Sequence, residues 1–246
     1  MIAASAGNHA AALAYCCALE GIDCLVVMWQ GASESKRAAA QGYGAAIDQE
    51  ASGPPEVFAR LARLQDETGR VLVHPFDDPL VVAGQGTVGL ELAEDLPDAE
   101  VVVVPVGGGG LVAGIATALP DRRVVGVEPE SSAALHLALA AGEPVPLAPD
   151  SIADGLNAPF AGGLPLRLCR ELGVESVLVS EDEIRTGFRF LYERAKLAAE
   201  PGGAAGVAAL LAGKVAGVEG SSVAVIVSGG NVDPKIASGI LKRNPL

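Results

Sequence analysis

Aromatic side chains are scarce in this sequence: Phe, Tyr and Trp make up 4% of 246 residues, with a single tryptophan. A core without rings must be filled by Ala, Val, Leu and Ile, which suits buried parallel strands covered by alanine-rich helices. Basic residues are few as well. Lys and Arg number 17 against 30 Asp and Glu, a formal net charge of −13. So acidic a surface argues against nucleic acid or an anionic membrane as partner. The four cysteines (Cys16, Cys17, Cys24 and Cys169) form no CxxC pair and no Cys/His metal spacing. They read as reduced core thiols of a cytoplasmic protein. No secretory signal precedes the first motif, and no apolar run reaches the ~18 residues of a membrane span. His74 and His136 stand alone and read as structural.

What the chain has in quantity is glycine, 31 residues, and hydrophobic residues, half of the total. Strand and helix patterns alternate. Strands are expected at 24–28, 71–73, 101–106, 123–128 and 223–227. Helices are expected after residue 9 and at 34–41, 55–68, 86–96, 111–119, 164–172, 181–198 and 203–212. Residues 142–163 read as loop, and Met1 to Ala4 are too few for a complete strand. The alternation predicts an α/β protein with a mostly parallel sheet and ligand sites at the carboxyl ends of its strands.

Three polar or glycine-rich loops carry the chemistry. Ser5-Ala6-Gly7-Asn8-His9 opens an alanine-rich helix, whose free N–H groups and dipole make an anion seat. Gly107-Gly108-Gly109-Gly110 follows a run of valines and precedes a helix. Ser228-Gly229-Gly230-Asn231 follows the last strand. Gly108 to Ala113 also fits the GxGxxA dinucleotide fingerprint, with Glu128 near the place of a ribose-binding acid. An NAD-binding protein is therefore one alternative. Four successive glycines, however, form a wide nest suited to a single terminal phosphate, and a dinucleotide site does not need the other two loops.

With these loops the chain resembles the fold-type II pyridoxal-phosphate enzymes (tryptophan synthase β-like), in the serine/threonine dehydratase and serine racemase branch. The resemblance runs through SAGNHA, HPF at Phe76, AGQGT at 83–87, PVGGGGL at 105–111, GVEP at 126–129, IADG at 152–155, EPGGA at 200–204 and SGGN at 228–231. It implies two three-layer α/β domains: residues 1–77 as a small, mobile, substrate-carboxylate domain, and 78–246 as the large cofactor-binding domain. It implies pyridoxal 5'-phosphate as cofactor, held at its phosphate by Gly107, Gly108, Gly109, Gly110 and Leu111. Asn8 would meet the ring hydroxyl, Ser228 the pyridine nitrogen, and Gly155 would allow close backbone approach. Ser5, Ala6, Gly7 and His9 would seat the substrate carboxylate. The implied reaction is deamination of L-threonine or L-serine to a 2-oxo acid and ammonia. The implied partners are a small amino acid and other copies of the chain in a homo-oligomer.

Three departures from the family pattern matter. Ala6 stands where racemases of the family carry a serine that transfers a proton, which favours elimination over a serine racemase-like isomerisation. Some relatives bind a divalent cation through the GVEP glutamate and an acid six residues on; Glu128 is present, but Ala134 replaces the acid, so no metal site is expected. Most importantly, the family's Schiff-base lysine precedes the SxGNH loop. None of Lys36, Lys196, Lys214, Lys235 and Lys242 lies in a matching segment. The resemblance thus implies that the N-terminal part of the large domain is missing, as in a fragment or an incomplete gene model, and that the chain as written has no catalytic residue. Exposed apolar surface and partial folding are expected on that reading. The alternative is a non-catalytic homologue that binds the cofactor or an amino acid.

Overall fold

Apolar side chains that alternate along a strand point to opposite faces, so a strand apolar throughout needs cover on both sides. The computed structural model meets that need twice. It describes residues 1–5, 7–32 and 34–242, in two units, Met1–Asp78 and Pro79–Leu246.

In the first unit β1 (Ile2–Ala4), β2 (Leu25–Trp29) and β3 (Ala46–Ala51) form a parallel sheet in that order. Val26 and Met28 face α1 (Asn8–Leu19) and α2 (Glu34–Gly42), packing with Ala10, Ala14, Cys17 and Ala40. Val27 faces the other way, with Ile2, Val57, Leu61 and Leu64, the last three from α3 (Pro54–Thr68). The Arg60–Asp48 ion pair (2.7 Å) ties α3 to β3. β1 is a genuine strand despite its three residues, all buried. The expected strand at 71–73 is a single parallel bridge, Ile2 to Leu72, because the short β1 leaves it no longer partner. The expectation of core thiols holds for Cys17, Cys24 and Cys169, but Cys16 is exposed.

The second unit has β4 (Val101–Pro105), β5 (Arg123–Pro129), β6 (Glu175–Val179) and β7 (Val223–Val225), all parallel, in the order β6-β5-β4-β7. Val102 and Val104 enter one core with residues of α4 (Pro79–Asp95), α5 (Gly110–Ala118), α6 (Ala134–Ala141) and α7 (Gly163–Glu171). Val101 and Val103 enter the opposite core with α8 (Glu181–Phe190) and α9 (Pro201–Leu211). A last helix, α10 (Pro234–Leu241), brings Ile240 against Phe188 and Leu191.

The glycines of AGQGT serve packing. A Cβ on Gly114 of α5 would lie 2.5 Å from the Val82 carbonyl oxygen and 2.6 Å from the Gly86 nitrogen of α4. The two helices touch backbone to backbone, and α4 runs from Pro79 through glycines that a propensity argument reads as breakers. Replacing Gly114→Ala is expected to lower stability by about 1–3 kcal/mol through overpacking. The readout is a lower urea midpoint at unchanged slope; an unchanged midpoint would show that the helices can separate without loss.

Candidate functional site

In the first unit, β1 delivers the chain into the loop before α1. Ser5 Oγ accepts a hydrogen bond from Gly7 N at 3.2 Å, folding the loop on itself. Gly7 is the N-cap residue of α1, and no side chain caps the helix. Its first turn therefore presents backbone donors and the positive end of the dipole, as an anion seat requires. Ser5, Gly7, Asn8 and His9 come together here. Ala6, assigned to the same seat, lies outside the described residues.

The imidazole of His9 has a job of its own. Its Nε2 lies 3.0 Å from the Val73 carbonyl oxygen. A carbonyl only accepts, so Nε2 carries the proton and donates. Burial, the largest influence, holds the His9 pKa below the ordinary histidine value; nearby His74 pushes the same way, and the Val73 bond opposes. The ring is neutral, with Nδ1 an acceptor. The His9 ring thus pins α1 to the segment at Val73 and leaves the backbone N–H groups of the first turn as the donors of the loop.

In the second unit, β4 ends at Pro105 and Val106 N donates to the Val127 carbonyl at 2.8 Å. Gly107 to Gly110 then turn into α5. Gly109 has φ +93, a left-handed conformation that favours glycine, and a Cβ there would meet Pro165 at 2.9 Å. No side chain caps α5. Gly107, Gly108, Gly109 and Gly110, with Leu111 behind them, thus form a cradle of N–H donors at a helix N-terminus. β7 lies beside β4 in parallel register, which brings Ser228, exposed just after β7, to the same end of the sheet. Gly155 is exposed in the 3-10 turn Asp154–Leu156, and the next residue, Leu156, abuts Gly107.

The cradle fits a phosphate monoester. Its donors lack side-chain caps, a side chain at Gly109 would collide with Pro165, and one at Gly107 would crowd the Leu156 backbone. Sequence reasoning missed Ser132, Leu156 and the surroundings of Glu128. Glu128 is fully buried. Its Oε1 accepts from Leu135 N at 2.7 Å, and its Oε2 from His136 N at 2.8 Å and Ser176 Oγ at 3.2 Å. It caps α6, so its carboxylate does not reach towards the cradle as a ribose-binding acid must, which counts against the dinucleotide reading. Ser176 Oγ lies 3.2 Å from Glu128 Oε2 and 3.0 Å from His136 Nδ1; when the carboxyl is ionised the hydroxyl donates to it and His136 Nδ1 donates to Ser176. Lys196 Nζ donates to the Glu193 carbonyl, and Lys214 Nζ to Glu183 and the Leu178 carbonyl. Among the described residues no group of three or more His, Cys, Asp or Glu could hold a metal ion, and no helix is long and apolar enough to cross a membrane.

Burial pushes the Glu128 carboxyl up to about 7, with its three hydrogen bonds pulling the other way. The native state then keeps a proton that the unfolded chain releases near the ordinary value of 4.5. Stability from this group is present at low pH and falls as pH rises from about 4.5 to about 7, by roughly 3 kcal/mol. Denaturant melts at pH 5 and pH 8 should show a smaller pH difference for Glu128→Gln than for the parent chain. Equal differences would mean that Glu128 is ionised throughout.

The family model described as pyridoxal-phosphate dependent enzyme matches residues 1–229. An L-threonine ammonia-lyase of Thermotoga maritima is 42% identical, over 99% of this chain and 61% of that protein. A catabolic L-threonine dehydratase of Escherichia coli is 41% identical, over 95% of this chain and 73% of its own length. Among solved structures, maize serine racemase matches with a TM-score of 0.90 at 35% identity, over 97% of this chain and 75% of that one. The chain thus spans about 60–75% of the length of these relatives. This chain belongs to the pyridoxal-phosphate-dependent enzyme family.

Proposed function

We propose that this chain is the cofactor- and substrate-binding part of an ammonia-lyase that converts L-threonine or L-serine to a 2-oxo acid and ammonia. The observation that carries the reading is the uncapped first turn of α5 at the carboxyl end of β4, one strand away from Ser228. Gly107 to Gly110 and Leu111 hold the phosphate of pyridoxal 5'-phosphate by backbone N–H groups. Ser228 meets the ring nitrogen, and Gly155 leaves room for the ring. Residues 1–77 supply the seat for the amino-acid carboxylate at Ser5, Ala6, Gly7 and His9, and residues 78–246 supply the cofactor cradle. Working copies form a homo-oligomer in the cytoplasm.

When bound, the cofactor supplies an electron sink for a carbanion at the amino acid's Cα. The residues of this chain select the outcome. A neutral hydroxyl at Ser228 supplies no fixed negative charge to keep the ring nitrogen protonated, which favours β-elimination over longer-lived carbanion chemistry. Ala6 has no group that can return a proton to Cα, which disfavours racemisation. Removing the Cα proton needs a base, in this family the cofactor-bearing lysine, and none of the five lysines here stands in such a segment. Binding is therefore assigned to these residues, and elimination to a polypeptide that also carries that lysine.

Calorimetric titration with pyridoxamine 5'-phosphate and with pyridoxamine tests the binding, since neither ligand needs a lysine. The phosphorylated form is expected to bind at least about tenfold tighter, a modest return for several charge-assisted N–H contacts. Borohydride treatment with pyridoxal phosphate should label none of the five lysines stoichiometrically. Equal affinities, or tight NADH binding instead, would sink the proposal.

A further inference from the structure

Four consecutive glycines form the least constrained backbone a chain can offer, yet a phosphate seat needs its N–H groups already aimed. Something outside the loop must hold it. One contact is direct: the Gly108 carbonyl accepts from Gly162 N at 3.0 Å. The other involves Leu156, which no motif marks. A Cβ on Gly107 would stand only 3.2 Å from Leu156 Cα and 3.3 Å from its carbonyl oxygen, so the two backbones are pressed together. On its other side the Leu156 side chain lies 3.4 Å from where a Cβ on Gly202, in the first turn of α9, would be.

Leu156 is itself fixed from behind. Its carbonyl oxygen accepts from Ser132 Oγ and from Ala158 N, both at 2.9 Å. Ser132 is fully buried, in the 3-10 turn Glu130–Ser132 between β5 and α6. A buried hydroxyl is tolerated only when it is bonded, and its bond goes to Leu156. That turn is closed by Glu128, whose carboxylate reaches over it to the nitrogens of Leu135 and His136, while Ser176 fastens the same carboxylate to β6. A divalent cation does not fit this arrangement: the oxygens of Glu128 face three hydrogen-bond donors, and Ala134 offers no side-chain ligand.

We propose that Glu128 and Ser132 are positioning residues for the phosphate cradle. Glu128 locks the segment 128–136, and Ser132, projecting from that segment, holds the Leu156 backbone against Gly107. The inference rests on the reading of Gly107 to Gly110 as a phosphate seat.

The test is the preference of each variant for pyridoxamine 5'-phosphate over pyridoxamine, measured by calorimetry on the whole chain beside a thermal melt. Ser132→Ala is expected to lower that preference about tenfold while leaving the affinity for pyridoxamine unchanged, and Ser132→Thr, which keeps the hydroxyl, to restore most of it. Ser132→Cys, nearly isosteric with a weak donor, gives the same loss if the alanine variant does not fold. Glu128→Gln should lower the preference about threefold, and the Glu128→Gln/Ser132→Ala pair should lose no more than Ser132→Ala alone, because both act through Leu156. A general loosening of the fold would weaken both ligands alike, and that result overturns the proposal. So does an unchanged preference in Ser132→Ala, or fully additive losses in the pair. If the parent chain itself shows no preference, the phosphate seat falls and this inference with it; a preference in the parent that survives in the variants defeats the inference alone.

Discussion

The arrangement of the second unit depends on β4. Its side chains are buried on both faces, and it pairs in parallel with β5 on one side and β7 on the other. Parallel pairing sends every chain off the sheet at the same end. Gly107, Glu128 and Ser228 leave from neighbouring strand tips for that reason alone. The valines alternate between two separate cores, so a slip of one residue would exchange the two sets of side chains at once. Register is thereby fixed by packing, and the geometry of the tips is set by register.

Much of this was legible from residues alone. A β-branched run entering glycines and then a small-residue helix can hardly be anything but a strand, a turn and a helix. The polar strand β3, with the sequence AIDQEA, carried no alternation to read, because it lies at a sheet edge where Asp48 pairs with Arg60. β6, a short strand at an edge of the second unit's sheet, was not expected either. The helix α6 is apolar almost all round and lacks a capping side chain of its own; Glu128, six residues before its start, performs that task. α4 starts at Pro79 rather than at the expected residue 86, and its Gly86 and Gly89 lie where α5 makes its close approach.

The candidate site divides along the same line. Loops with glycine, serine and asparagine at strand tips announce themselves, since their side chains or their lack of side chains carry the proposed roles. Ser132 and Leu156 do not, because they act through a backbone carbonyl and the close approach of two main chains, and a leucine in either role looks the same in a sequence. His9 is intermediate. Its place in the loop points to a carboxylate partner, which its backbone can still meet, while burial and the Val73 carbonyl give the ring a second task as a neutral pin. Only the three-dimensional partner distinguishes those roles.

A chain of net charge −13 is an unpromising receptor for a phosphate dianion. The resolution is one of range. At physiological ionic strength charges are screened beyond about 8 Å, so distant carboxylates contribute little at the cradle. Glu128, a buried acid behind the cradle, has its charge disfavoured by burial and its oxygens turned to the α6 nitrogens. What remains close to the loop is a set of aligned peptide N–H groups and the end of a helix dipole, which act at short range and need no basic residue. Such donors are useful only while they point at one place. Their direction depends on the close packing of Leu156 against Gly107 rather than on any charge. On the proposed reading of the loop, rigidity therefore takes the part that lysines and arginines play in other phosphate sites, which is why the support of the loop matters as much as the loop.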